Sequence, residues 1–134
     1  MKLDLAVGPG TLDNLQVALD TVWSRHDHVP AIVRLEVEIA ATEIAVNILE
    51  HGCAAGLQME IHVVSNEVRI EFTDSGHPAE IDLVAIRNPD EVADRGRGLA
   101  IAQAALRLLA YCRDERGNHW RLVSKAFPGS PRPE

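Results

Sequence analysis

Residues 30–52 read PAIVRLEVEIAATEIAVNILEHG, with no glycine or proline between Pro30 and Gly52. Proline is tolerated in the first turn of a helix and glycine just past the last, so the stretch predicts one uninterrupted helix. At about 100° per residue, Leu35, Ile39, Thr42, Val46 and Leu49 form one apolar stripe. Val37, Ala41, Ile44 and Ile48 form a second on the opposite side. A helix apolar on two sides is expected to be wedged between layers.

Between the stripes lie Glu36, Glu43, Asn47, Glu50 and His51, within roughly a third of the circumference. Glu43, Asn47 and His51 follow one another at i, i+4, i+8, which stacks their side chains. The helix alone supports two readings. This arc is either a solvated edge, or a site in which Asn47 offers its amide oxygen to a hard cation while Glu43 stays available as a base.

The chain has 134 residues, 46% of them apolar, and a net charge of −7. That fits one domain with a real core, taken as residues 1–127, with 128–134 as a disordered tail. Scattered arginines on an acidic chain argue against a nucleic-acid surface, though not against a local basic rim around a phosphate. No apolar run is long enough to span a membrane and the first residues do not resemble a secretion signal, so the expected location is the cytoplasm. Cys53 and Cys112 fit no zinc or CxxC spacing and are read as reduced packing residues.

Around the central helix the remaining elements follow from periodicity. Residues 2–7 alternate as a strand, stopped by Gly8-Pro9-Gly10, and Thr11 is placed to cap an amphipathic helix over 12–25. Residues 58–64 and 67–73 alternate about Ser65-Asn66, as a hairpin does. Residues 74–97 lose periodicity and read as a long loop, with a short helical turn near Leu83. A third helix is expected over 98–109, then a closing hairpin of 111–114 and 119–125. Hairpin-linked strands with helices gathered on one face make an α+β two-layer sandwich with a mostly antiparallel sheet.

Two loop motifs add chemistry. The strand ending in Thr73-Asp74-Ser75-Gly76 places a carboxylate before a glycine turn. This is either an ordinary turn or a site where Asp74 accepts from the amino group of a base and Gly76 lets the ring approach. Arg95-Gly96-Arg97-Gly98-Leu99 opens the third helix, as a plain junction or as backbone N–H groups converging on an anion. A P-loop signature is missing, and Lys2 and Lys125 are the only lysines, which excludes P-loop and ordinary protein-kinase chemistry.

ExxxN on a helix, DxG after a strand and GxGL at a later helix, in that order, resemble the three nucleotide-binding boxes of the GHKL ATPase superfamily. That group includes gyrase, sensor histidine kinases and mismatch-repair MutL proteins. Within it, TEIAVNILEHG (42–52), FTDSGHP (72–78) and GRGLAIA (96–102) are similar to the small bacterial anti-sigma factors that are also serine kinases of partner-switching systems. The likeness covers almost the whole chain.

The resemblance implies a Bergerat-type ATP-binding fold, ATP and Mg2+ as cofactors, and a role for each matched residue. Asn47 would bind the magnesium and Asp74 the adenine, with Gly76 beside it. Gly96 and Gly98, with Arg95, Arg97 and Leu99, would line the phosphates, and residues 79–95 would form the lid. Glu43 would orient or deprotonate the serine of a partner. His51 is kept as a site member, although magnesium prefers oxygen ligands. The implied partners are an anti-sigma-factor antagonist of STAS type as phosphorylation substrate, a sigma factor, and a second copy in a homodimer through the first helix and final hairpin.

Two positions depart from the family pattern. Pro78 stands where a second glycine is expected, and Gly117-Asn118 stands where glycine-threonine is common before the last strand. Pro78 stiffens the start of the lid and favours the alternative function, a nucleotide-holding binding module without turnover.

Overall fold

The computed structural model describes residues 1–51, 56–76 and 94–129, without the side chains of residues 51 and 94–96. In chain order the elements are β1 (Lys2–Ala6), α1 (Thr11–Arg25), α2 (Ala31–His51), β2 (Gly56–Val64), β3 (Glu67–Asp74), α3 (Asp94–Ala105), β4 (Leu108–Asp114) and β5 (Gly117–Val123). The five strands form one antiparallel sheet in the order β1-β2-β3-β5-β4.

Strand alternation sorts the side chains of the sheet. Leu57, Met59 and Ile61 of β2, Ile70 and Phe72 of β3, and Trp120 and Leu122 of β5 are buried and meet across the strands in register. They pack against Leu15, Leu19 and Val22 of α1, Val37, Ala41, Ile44 and Ile48 of α2, and Leu99 and Ala102 of α3 in one core. Each fully buried large apolar side chain contributes about 1.5–3 kcal/mol. The opposite face carries Glu60, His62, Arg69, Glu71 and Arg121 and is open, the ordinary division of an antiparallel sheet with helices on one side. The expected α+β two-layer sandwich is therefore the observed fold.

The central helix differs from expectation in one respect. The Val37–Ala41–Ile44–Ile48 stripe is buried, while Thr42, Val46 and Leu49 of the other stripe are half-buried. Leu35 and Ile39, expected between layers, are 52% and 38% exposed, and Ile32 is 61% exposed. The sheet lies beneath α2 with α1 and α3 alongside, so no described layer covers its outer side.

Smaller differences have local causes. Thr11 begins α1 rather than capping it: Gly10 holds the cap position without a side-chain bond. The Thr11 hydroxyl instead accepts from the Gly8 N–H at 2.8 Å and faces the carbonyls of Ala6 and Gly8, tying the end of β1 to the helix. The third helix starts earlier and ends earlier than its apolar periodicity suggested. Leu109 and Tyr111 pair with Leu122 and Trp120, so strand pairing claims 108–109 from the helix. Cys112 is exposed rather than packed, because it shares the outward face with its register partner His119. Cys53, the helical turn near Leu83 and most of the 74–97 loop lie outside the described residues.

The last described residues close the domain. The Phe127 N–H donates to Asn66 O at 3.0 Å, the Phe127 ring lies 5.9 Å from that of His28, and its side chain is buried. No helix of the described residues is long and apolar enough to cross a membrane.

Glu67, at the start of β3, holds two arginines: Arg69 Nε donates at 2.6 Å, and Arg107 Nη2, from the α3–β4 connection, at 2.9 Å. The bond from Arg69 and then that from Arg107 hold the Glu67 carboxyl below its ordinary value of 4.5. A depressed carboxylate stabilises the fold fully above its unfolded-state value, and the contribution is lost as pH falls below about 4.5. Urea midpoints measured between pH 7 and 3 should therefore drop less steeply for Glu67→Gln than for the parent chain; parallel curves would refute this role.

Candidate functional site

The central helix brings Glu43 and Asn47 to its flank facing α3. Asn47 is 7% exposed, yet its amide has no hydrogen bond to another described residue. Among the described residues the buried side-chain polar atom without a partner is His28 Nε2 rather than either amide atom of Asn47. Glu43 is half-buried and faces α3 at Gly98. A Cβ placed on Gly98 would collide with the Glu43 Oε2 atom. The glycine thus gives the carboxylate its space, a purpose distinct from backbone flexibility.

Helix α3 begins at Asp94, so residues 94–96 supply first-turn N–H groups that have no acceptor within the helix. Gly96 is among them, while Gly98 already lies past that turn. Leu99 is 1% exposed and its side chain belongs to the core, which leaves only its backbone for a ligand. Arg97 is exposed and engaged in an interaction of its own. The side chains of His51 and Arg95, the strand-end residues His77 and Pro78, and the expected lid through residue 93 lie outside the description.

At the end of β3, Asp74 is 3% exposed and lies on the helix-facing side. Its Oδ1 accepts from the Gly76 N–H at 2.8 Å and from Asn118 Nδ2 at 3.0 Å. Both bonds fall on one oxygen, and among the described residues Oδ2 is left for a ligand.

Asn118 organises this corner. Its Nδ2 also reaches Gly76 O at 3.2 Å, while its Oδ1 accepts from Tyr111 Oη at 2.5 Å and Arg113 Nη1 at 3.0 Å. Two donors and two acceptors satisfy the amide and fix which way it points. Arg113 donates to Gly76 O as well, at 3.0 Å. The register sets Asp74 beside Asn118 and Asn118 beside Arg113, a polar row across three strands.

Gly117 makes that row possible. Its φ of +125° is one that side chains rarely adopt, and a Cβ there would strike the Asp74 carbonyl. The sequence marked Gly117-Asn118 only as a departure from a pattern, and Arg113 and Tyr111 not at all. Their roles come from strand register, which no local motif encodes.

A concavity of about 430 Å³ lies elsewhere, on the open sheet face among Glu67, Arg69, Glu71 and Arg121. Two of its arginines, Arg69 and Arg107, already pair with Glu67. It reads as a charged surface hollow rather than as the site.

A helical layer on an antiparallel sheet, with a nearly buried asparagine on the central helix, a strand-end aspartate and a glycine-opened helix, defines a GHKL-type domain. A family model described as the histidine kinase-like ATPase domain matches residues 8–124, and the chain belongs to that family. No curated protein matches the chain.

Membership implies ATP as ligand, usually with Mg2+, and ATP-using phosphotransfer in general. Among the described residues there is no group of three or more metal-binding side chains. Magnesium keeps several waters and takes one or two protein oxygens plus substrate phosphates. Asn47 Oδ1 fits as that protein ligand.

Gly98→Ala tests the space around Glu43. Alanine favours a helix over glycine by about 1 kcal/mol, so the melting temperature should hold or rise while ATP turnover falls at least about tenfold, a barrier change of about 1.4 kcal/mol. Undiminished turnover would show that the carboxylate does not need its present position.

Proposed function

We propose that this chain is a serine/threonine-protein kinase of GHKL type that phosphorylates an anti-sigma-factor antagonist of STAS type. In this reading it also holds a sigma factor when the antagonist is not engaged, within a cytoplasmic partner-switching pathway. The supporting observation is Glu43: a carboxylate one helical turn from Asn47, with space kept for it by Gly98 and no ion-pair partner among the described residues.

In the proposed reaction Asp74 and Gly76 orient the adenine, with Asn118 fixing the aspartate. First-turn N–H groups of α3, Gly96 among them, meet the phosphates at the positive end of the helix dipole. Asn47 would hold the magnesium, which would supply charge neutralisation at the transferring phosphoryl group. Glu43 accepts the serine hydroxyl proton as that oxygen bonds to the γ-phosphorus and the bond to the ADP oxygen breaks. Phosphoserine and ADP result. Such transfer depends on positioning and charge more than on covalent chemistry by the protein.

The experiment is phosphoryl transfer from labelled ATP to a candidate antagonist, read beside calorimetric ATP binding. Glu43→Gln should lose at least about a hundredfold in transfer while ATP affinity is kept. Asp74→Asn should weaken ATP binding itself. ATP binding without transfer by the parent chain would instead favour the binding-module function, and full transfer by Glu43→Gln would remove that residue from the mechanism.

A further inference from the structure

The edge strand β4 lies outside all three motifs that marked the site, yet it sends two side chains to the Asp74 corner. Tyr111 and Arg113 stand two positions apart, so strand alternation puts both on the helix-facing side. There they sit opposite Trp120 and Asn118 of β5, both buried. The Tyr111 ring packs on that of Trp120, with 4.7 Å between centroids, which fixes the reach of its hydroxyl. Arg113 is exposed and comes in from the rim.

Their donors meet on one atom. Tyr111 Oη and Arg113 Nη1 both donate to Asn118 Oδ1, at 2.5 and 3.0 Å. An asparagine amide has two orientations of nearly equal shape, told apart by the hydrogen bonds it makes. Two donors on one side and two acceptors on the other, Asp74 Oδ1 and Gly76 O, select the orientation with the NH2 toward Asp74. Asn118 is 2% exposed, so solvent does not replace a donor lost from its oxygen. A buried amide oxygen deprived of donors turns to find others and takes its NH2 off the carboxylate. Arg113 Nη1 adds a second restraint by donating to Gly76 O, since the Gly76 N–H holds the same Asp74 oxygen. The direction of Asp74 Oδ2 thus depends, through Asn118 and Gly76, on a strand that does not itself pair with β3.

We infer that Tyr111 and Arg113 are positioning residues for nucleobase recognition, which keep Asp74 Oδ2 aimed at the amino group of a bound base. The inference rests on the reading of Asp74 as acceptor for that amino group and needs no phosphoryl transfer. It sets the discrimination between a purine that carries the amino group and one that lacks it in the last hairpin as well as in the strand-end motif.

The probes are ATP and purine riboside triphosphate, which lacks the exocyclic amino group, each titrated with magnesium into the full chain and read by calorimetry. The parent chain should bind ATP at least about tenfold tighter. Tyr111→Phe with Arg113→Met should cut that preference to below about threefold by weakening ATP, while the affinity for purine riboside triphosphate is kept. A merely structural loss would weaken both nucleotides equally. Phenylalanine retains the ring against Trp120, so the circular-dichroism melt should hold. Arg113→Lys, which keeps a cationic donor, should retain most of the preference that Arg113→Met alone loses. An undiminished preference in the double variant, or an equal loss for both nucleotides, would overturn the inference and leave Asp74 as the base acceptor. A parent chain that binds the two nucleotides equally, or neither, would overturn that reading of Asp74 and the inference with it.

Discussion

The antiparallel pairing of β3 with β5 is the constraint on which the site's sheet end depends. It joins Asp74 to Asn118, 44 positions apart in sequence, through a buried hydrogen bond. The same register sets Phe72 against Trp120 and Ile70 against Leu122, so the apolar core and the polar corner are fixed by one alignment. A slip of one residue would turn Trp120 outward and His119 inward. The cost in buried apolar area would be severe, which is why the position of the Asp74 carboxylate is so well determined. Packing holds the register, and the register aims Asp74.

The central helix divides its circumference among different demands. One side is buried against the sheet, one flank meets α3 at Glu43 and Gly98, and the outer side carries exposed Ile32, Leu35 and Ile39. A glutamate beside a helix that has a glycine at the contact can approach closely without forcing the helices apart. The neighbouring Asn47 is 7% exposed.

Periodicity within single elements made most of the fold legible, because helices and strands carry their own repeat. The 3.6-residue pattern gave α1 and α2, and alternation gave β2 and β3. Where two patterns overlapped, at Leu106–Ala110, the sequence could not decide, since a short apolar run suits either state and only pairing with β5 settles it. The two apolar stripes of α2 were visible, but which of them would be covered depends on the number of layers, a tertiary property. Of the site, Glu43, Asn47, Asp74 and the α3 glycines were marked by local spacing. The bridging by Asn118, Tyr111 and Arg113 arises from residues brought together across strands, and no window of sequence contains it.

The strand order also sets a schedule for biosynthesis. β1 is made first but pairs only with β2, whose residues Gly56–Glu60 lie beyond both long helices. It must wait for them. β2 and β3 can close on each other as soon as they emerge, through the two-residue turn between Val64 and Glu67. Asp74, however, gains its hydrogen bond from Asn118 only when the last strand is in place. A chain still on the ribosome can collapse its helices and first hairpin, but Asp74 acquires its orientation last. The polar corner of Asp74, Gly76, Asn118 and Arg113 is therefore assembled only after nearly all of the sequence has been translated.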